Sequence, residues 1–140
     1  MHPKFQRADE LSRQVIGAAI EVHRLKGPGL IESIYEKCLK RELFLQNIPA
    51  TQQLIVPIEY KGYIFEEPLR LDLLVDDSLL IELKVVTQVL PIHKAQLMSY
   101  MKLMDIPLGL LINFNELRLI DGVHRLMLPG SGGQNPNDFL

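Results

Sequence analysis

The sequence predicts an α/β fold with a mixed sheet, and three observations predict it. Apolar residues recur at helical spacing through the first third of the chain, and from Gln53 the period changes to two. After one more helical segment comes an almost continuous apolar run, Leu108 to Phe114, suited to a strand buried on both faces. A helix lying between two strands of one sheet is what permits them to pair in parallel.

Asp9 is read as an N-cap, and Leu11, Val15, Ala18, Val22 and Leu25 follow at helical spacing, so the first helix is expected over Glu10 to Lys26. Gly27-Pro28-Gly29 ends it, because glycine frees the backbone and proline cannot continue a helix. A second helix is expected from Leu30 to Gln46, stopped by Asn47. Leu54, Val56 and Ile58 then alternate with other residues as in a strand, and Lys61-Gly62 supplies a turn. A second strand starts at Tyr63, bends at Pro68, which cannot donate to a ladder, and resumes to Val75. Asp76-Asp77 turns the chain into a third strand over Leu79 to Val86, and the three together form an antiparallel meander. Pro91 opens a crossover helix running to Met104. The strand at Leu108 follows, and Leu117 to Leu128 is read as one final, more polar strand. Residues 129–140, rich in glycine and polar residues, are read as a disordered tail after a single domain over 1–128.

Composition narrows the class. A chain of 140 residues suffices for one self-supporting core, and no apolar run approaches the roughly 20 residues that a membrane helix needs. The N-terminus lacks the uninterrupted apolar stretch of a secretory signal, so a cytoplasmic protein without a membrane partner is expected. Cys38 is the single cysteine, which excludes an internal disulfide and a cysteine-rich zinc site. A net charge of −2 does not advertise the basic face of a duplex binder.

The chemistry concentrates in RLDLLVDDSLLIELK, from Arg70 to Lys84. Asp72 stands among leucines on one strand, and Glu82 and Lys84 alternate with apolar residues on the next. Ionised groups are seldom buried without a partner, so either these charges pair with one another or they serve a ligand. Two carboxylates hold a divalent cation through oxygen, and a lysine neutralises a phosphate or polarises a water. A joint site demands that both carboxylates face the same way. A two-residue turn would set Asp72 opposite Ile81 and turn Glu82 to the other face, whereas a three-residue loop Asp76-Asp77-Ser78, or a bulge, sets Asp72 opposite Glu82. Glu32 lies in the first turn of the second helix, where the helix dipole favours a carboxylate in any case. Tyr35 shares its face, and Gln96 and Tyr100, four apart, project from one side of the crossover helix. Against these stand plainer readings: His23 as a hydrogen-bonded structural histidine, His93 as a solvated one, Arg70 as a partner of Asp72, and Lys37, Lys40 and Arg41 as a solvated helix face rather than a phosphate-binding edge.

In chain order, Gly29-x-x-Glu32-x-x-Tyr35, Arg70-x-Asp72, Glu82-x-Lys84 and Gln96-x-x-x-Tyr100 together resemble the GxxExxY family, a group of small proteins assigned to the PD-(D/E)xK nuclease superfamily. The flanking text GAAIEVHRLKGPG and LGLLINF matches as well, although Leu71 stands where the superfamily's name has proline. The resemblance implies a restriction-endonuclease-like core of the RecB type and a site that holds Mg2+ or Mn2+ through Glu32, Asp72 and Glu82, directly or through water. It implies catalytic roles for Lys84, Glu82, Asp72 and Gln96, with Tyr100, Tyr35 and Arg70 positioning substrate. The expected function is a metal-dependent nuclease-like phosphodiesterase acting on DNA or RNA, possible as a homodimer. The competing expectation is a nucleic-acid or protein interaction module that keeps the fold without cutting.

Overall fold

The computed structural model describes residues 1–132. Two helices, α1 (Phe5–Lys26) and α2 (Glu32–Leu45), lead into β1 (Ala50–Thr51), β2 (Leu54–Tyr60), β3 (Tyr63–Leu69), β4 (Leu73–Val75) and β5 (Leu79–Lys84). Helix α3 (Pro91–Met104), β6 (Leu108–Asn113), a short 3-10 turn (Leu119–Gly122) and β7 (Val123–Met127) complete it. Five strands form a mixed sheet in the order β1-β4-β5-β6-β7, with β5 and β6 parallel across the α3 crossover and the other pairs antiparallel. This is the expected α/β class.

The sheet separates two cores. Leu73, Val75, Ile81, Leu83, Leu110 and Ile112 pack towards α1 and α2, while Leu74, Leu80 and Leu111 pack towards Leu97 and Met101 of α3. Strand alternation sorts the leucine runs onto opposite faces, so both faces are apolar and both are covered. Every residue of β6 is buried, as its unbroken apolar run predicts.

Several expected boundaries are corrected. Helix α1 begins one turn earlier than Asp9, because Phe5 and Ala8 continue its buried stripe. Asp9 is no cap: its carboxylate meets Arg125 of β7 at 2.8 Å and Arg13 at 3.6 Å. The expected three-stranded meander does not form. Strands β2 and β3 make a separate ribbon, paired from Leu54 with Leu69 to Tyr60 with Tyr63, around a Lys61-Gly62 turn whose two residues have φ of 51° and 83°. Pro57 and Pro68 cannot donate hydrogen bonds to a further strand, and the chain leaves the ribbon at Arg70 before β4 begins. The outer side of β4 is taken instead by β1, with Ala50 opposite Val75. The expected last strand is half 3-10 turn and half β7. Of the expected tail, Ser131 is buried and its carbonyl accepts a hydrogen bond from the His2 amide at 3.0 Å, so the start of that segment is packed; residues 133–140 lie outside the described residues.

Candidate active site

The β4–β5 hairpin sets the geometry. Val75 pairs with Leu79 around the three-residue loop Asp76-Asp77-Ser78, in which the Ser78 amide donates to the Val75 carbonyl at 3.0 Å. Asp76 and Asp77 take left-handed backbone, φ 46° and 53°, the primed-turn geometry that matches strand twist and that aspartate tolerates better than most residues. The sum of paired positions stays constant along an antiparallel ladder, so the register Leu73–Ile81, carried one residue beyond β4, brings Asp72 opposite Glu82. Both carboxylates then share the sheet face of Leu74 and Leu80, towards α3. The odd slip that a joint site requires is present.

Beyond the end of β4 the Asp72 side chain takes over the ladder: its Oδ2 accepts the Leu83 amide at 2.6 Å. Asp72 is 8% exposed and Glu82 6%. Burial pushes the Asp72 carboxyl up to about 6 in spite of that amide, and the charges of Glu32 and Glu36 add to the rise. Burial pushes Glu82 higher, to about 7, with the Asp72 charge as the second cause and Lys84 acting the other way. The Lys84 Nζ stands 3.9 Å from Glu82 Oε2, while Glu82 Oε1 is buried without a hydrogen-bond partner among the described residues. Burial also raises Glu32, the charge of Lys84 opposing it. Packing alone gives no reason to crowd carboxylates in this way.

These residues line one cleft of about 580 Å³. The N-terminal turn of α2 contributes Glu32, α3 contributes Gln96 and Tyr100, and the segment between β3 and β4 contributes Arg70. Gln96 Nε2 donates to Tyr100 Oη at 3.2 Å, joining the two residues across one turn of α3. Arg70 forms no ion pair with Asp72, contrary to the plainer reading of it; it lines the cleft instead. Of the sequence-predicted site residues, Glu32, Arg70, Asp72, Glu82, Lys84, Gln96 and Tyr100 are brought together.

Tyr35 is not among them, which corrects its expected substrate-positioning role. It is fully buried, stacked on Phe114 with ring centroids 4.4 Å apart. Its hydroxyl donates to the Gly27 carbonyl at 2.5 Å and accepts from the Leu30 amide at 3.1 Å. Those bonds fix the Gly27–Leu30 connection, and through it the aim of the α2 N-terminus that carries Glu32. Asn113 is a second buried anchor: its side chain accepts from the Val86 amide at 3.1 Å and donates to the Val86 carbonyl at 2.9 Å, holding the chain just past Lys84. His23 is structural as read, its Nε2 2.7 Å from the Glu116 carbonyl. Ser33 and Glu36 also line the cleft; Ser33 carries no signal in the sequence, whereas Glu36 stands one helical turn after Glu32 and that spacing marks it.

Among the described residues no three carboxylate, imidazole or thiol groups stand close enough to hold an ion unaided. The chemistry of the donor set nonetheless fits a hard divalent cation. Mg2+ retains several waters and is held by one or two carboxylates, and the facing Asp72–Glu82 pair offers those, including one oxygen without a partner.

No curated protein and no solved structure gives a match to this chain. A family model described as the PD-(D/E)XK nuclease superfamily matches residues 9–126. That span contains the whole sheet apart from the last residue of β7, and every wall of the cleft. Coverage of that extent makes the chain a member of the PD-(D/E)XK nuclease superfamily.

Proposed function

We propose that this protein is a Mg2+- or Mn2+-dependent nuclease-like phosphodiesterase of the GxxExxY group that acts on nucleic acid in the cytoplasm. The observation that carries this reading is the buried, mutually facing pair Asp72 and Glu82, with Lys84 beside it, at the floor of an open cleft. Members of this superfamily generally depend on divalent metals. Asp72 and Glu82 would hold the cation directly, and Glu32 through water. When bound, such a cation polarises a phosphoryl oxygen and lowers the pKa of a water, so that a nucleophile is available near neutral pH.

The chain's own residues do the rest. Lys84, whose side chain is 19% exposed, presents its ammonium to the cleft beside Glu82, where it orients the attacking water or neutralises a phosphate oxygen. The Gln96–Tyr100 pair offers an amide and a hydroxyl from the α3 wall to position substrate. Arg70 at the rim supplies a planar donor set suited to a phosphate. A homodimer, which would lengthen the surface for a long substrate, belongs to the same reading, and light scattering that gives a monomer removes it.

The test is a screen of labelled DNA and RNA with Mg2+ and with Mn2+, beside a Glu82→Gln control. Metal-dependent cleavage by the natural chain and none by the control is the expected result. A non-cutting interaction module is the second reading, favoured by the lack of three preassembled ligands among the described residues. It predicts binding without cleavage under every metal condition, and that outcome would overturn the enzyme reading.

A further inference from the structure

A second groove, of about 430 Å³, opens beside the carboxylate cleft, and Ser33, Glu36 and Arg70 line both. One wall is a stripe of α2, because Ser33, Glu36, Lys37 and Lys40 follow the three- and four-residue spacing of a helix face. The other wall is made by Gln52 and Gln53, between β1 and β2, and by Arg70, where the chain returns from the ribbon. The two spaces differ in charge. The cleft holds the carboxylates of Glu32, Glu36, Asp72 and Glu82 against two cations, whereas the groove holds three cations against Glu36 alone.

Even that carboxylate is occupied. Gln52 Nε2 donates to Glu36 Oε1, and Gln52 Oε1 accepts from Lys40 Nζ at 2.9 Å, so a neutral amide separates the acid from the lysine. Among the described residues Lys37, Lys40 and Arg70 enter no ion pair. Lys37, Lys40 and Arg70 are exposed. On a chain of net charge −2, three unpaired cations gathered on the groove that leads into the carboxylates are not the scatter of an ordinary solvated face.

We infer that this groove is the track for the phosphodiester backbone next to the bond held in the cleft, with Lys37, Lys40 and Arg70 each facing a phosphate. The inference rests on the nucleic-acid reading of the cleft and assigns it a direction: the strand leaves the carboxylates past Arg70 and runs along α2. From Ser33 to Lys40 the helix rises about 10 Å, which spans about three phosphates at the axial spacing of a single strand in a duplex. The charges are complementary in sequence: the cation-demanding cleft takes the reacting phosphate, and the cation-rich groove takes those that follow it.

The experiment is anisotropy of a labelled oligonucleotide, single-stranded and duplex, at several salt concentrations in EDTA, so that binding is read whether or not the chain cuts. The full chain is compared with the double variant Lys37→Ala/Lys40→Ala, with Arg70→Ala, and with Lys102→Ala, an exposed lysine outside both spaces. Thermal unfolding of each variant establishes that it is folded. The double variant is expected to lose about tenfold or more in affinity, with the slope of log affinity against log salt reduced by about one to two, and Lys102→Ala to change neither. Arg70→Ala behaves as a single loss of the same kind. Equal affinity and slope in the double variant and the natural chain would overturn the inference, as would absence of binding to either oligonucleotide. Binding of polyglutamate as tight as that of the oligonucleotide overturns the phosphodiester assignment in favour of an acidic protein partner. Cleavage assays separate the two ideas: binding through Lys37 and Lys40 with no cleavage under any metal leaves the track and removes the phosphodiesterase.

Discussion

Asp72 and Glu82 face each other across the β4–β5 hairpin, and Asp72 completes the ladder by accepting the Leu83 amide at 2.6 Å. The aspartate is thus tied to the strand of its partner, while Glu82 keeps one oxygen without a hydrogen bond among the described residues. Two carboxylates held in this way cost free energy and would be relieved by a cation, and the first two predictions follow from that asymmetry.

Stability of the metal-free protein falls as pH rises. Asp72 at about 6 and Glu82 at about 7 lie above their ordinary values of 3.8 and 4.5, so the folded state keeps protons that the unfolded chain has released. The loss accumulates between about pH 4 and 7 and is complete above that range, amounting to on the order of 3 kcal/mol for each carboxyl at about 1.4 kcal/mol per pH unit. Thermal unfolding in EDTA at pH 5 and pH 8 measures it, and Glu82→Gln is expected to flatten the profile. Added Mg2+ or Mn2+ is expected to raise the unfolding temperature more at pH 8 than at pH 5, because protons compete for the same oxygens.

Asp72→Asn and Glu82→Gln are expected to abolish metal binding and cleavage while leaving the fold intact or more stable, since each removes a repelling charge. Lys84→Ala is expected to retain metal binding and lose activity, because its proposed role is with water or phosphate. Calorimetric metal titration beside the cleavage assay checks both. Carboxylate variants that unfold, with metal binding indifferent to all three changes, would show a structural charge network instead.

The two tyrosines separate structure from function. Tyr35→Phe leaves the Gly27 carbonyl and the Leu30 amide without their buried partner and is expected to destabilise by about 1–3 kcal/mol. Tyr100→Phe, on the half-exposed cleft wall, is expected to change stability by less than about 0.5 kcal/mol and to lower kcat or raise KM. Denaturant melts run beside steady-state kinetics distinguish the pair.

Gly122 and Gly109 test packing around β6. A Cβ on Gly122 would meet the Asn113 carbonyl oxygen at 2.2 Å, a backbone atom that cannot step aside, so Gly122→Ala is expected to cost about 3 kcal/mol or more. A Cβ on Gly109 meets Met101 Sδ at 2.7 Å, the far part of a flexible side chain, and about 1 kcal/mol is expected. Chemical denaturation of the two variants gives the order directly.

The helices, the buried strand β6 and the α3 crossover were legible in the sequence because each rests on local spacing, and the candidate site residues were legible through their resemblance to a family pattern. Apolar period, the Gly27-Pro28-Gly29 break, the Pro91 start and the charges inside the Leu-rich hairpin are all short-range features. The one-residue choice of hairpin register could be posed from sequence but not decided there, since Asp76-Asp77-Ser78 is compatible with a two- or a three-residue loop; the burial of Leu73, Val75 and Ile81 on one face decided it. The break between β3 and β4 was likewise hidden, because an apolar run continues through Leu69, Leu71 and Leu73 while only long-range competition reveals that β4 pairs with β1 and β5. Tyr35 shows the same limit in a single side chain. Its spacing from Glu32 puts it on the face of a site residue, but the stacking partner Phe114 and the Gly27 carbonyl that bury it come from elsewhere in the fold. Local sequence determined which groups carry charge and which elements hold them; the tertiary structure decided which face each charge occupies, because that depends on pairings between segments far apart in the chain.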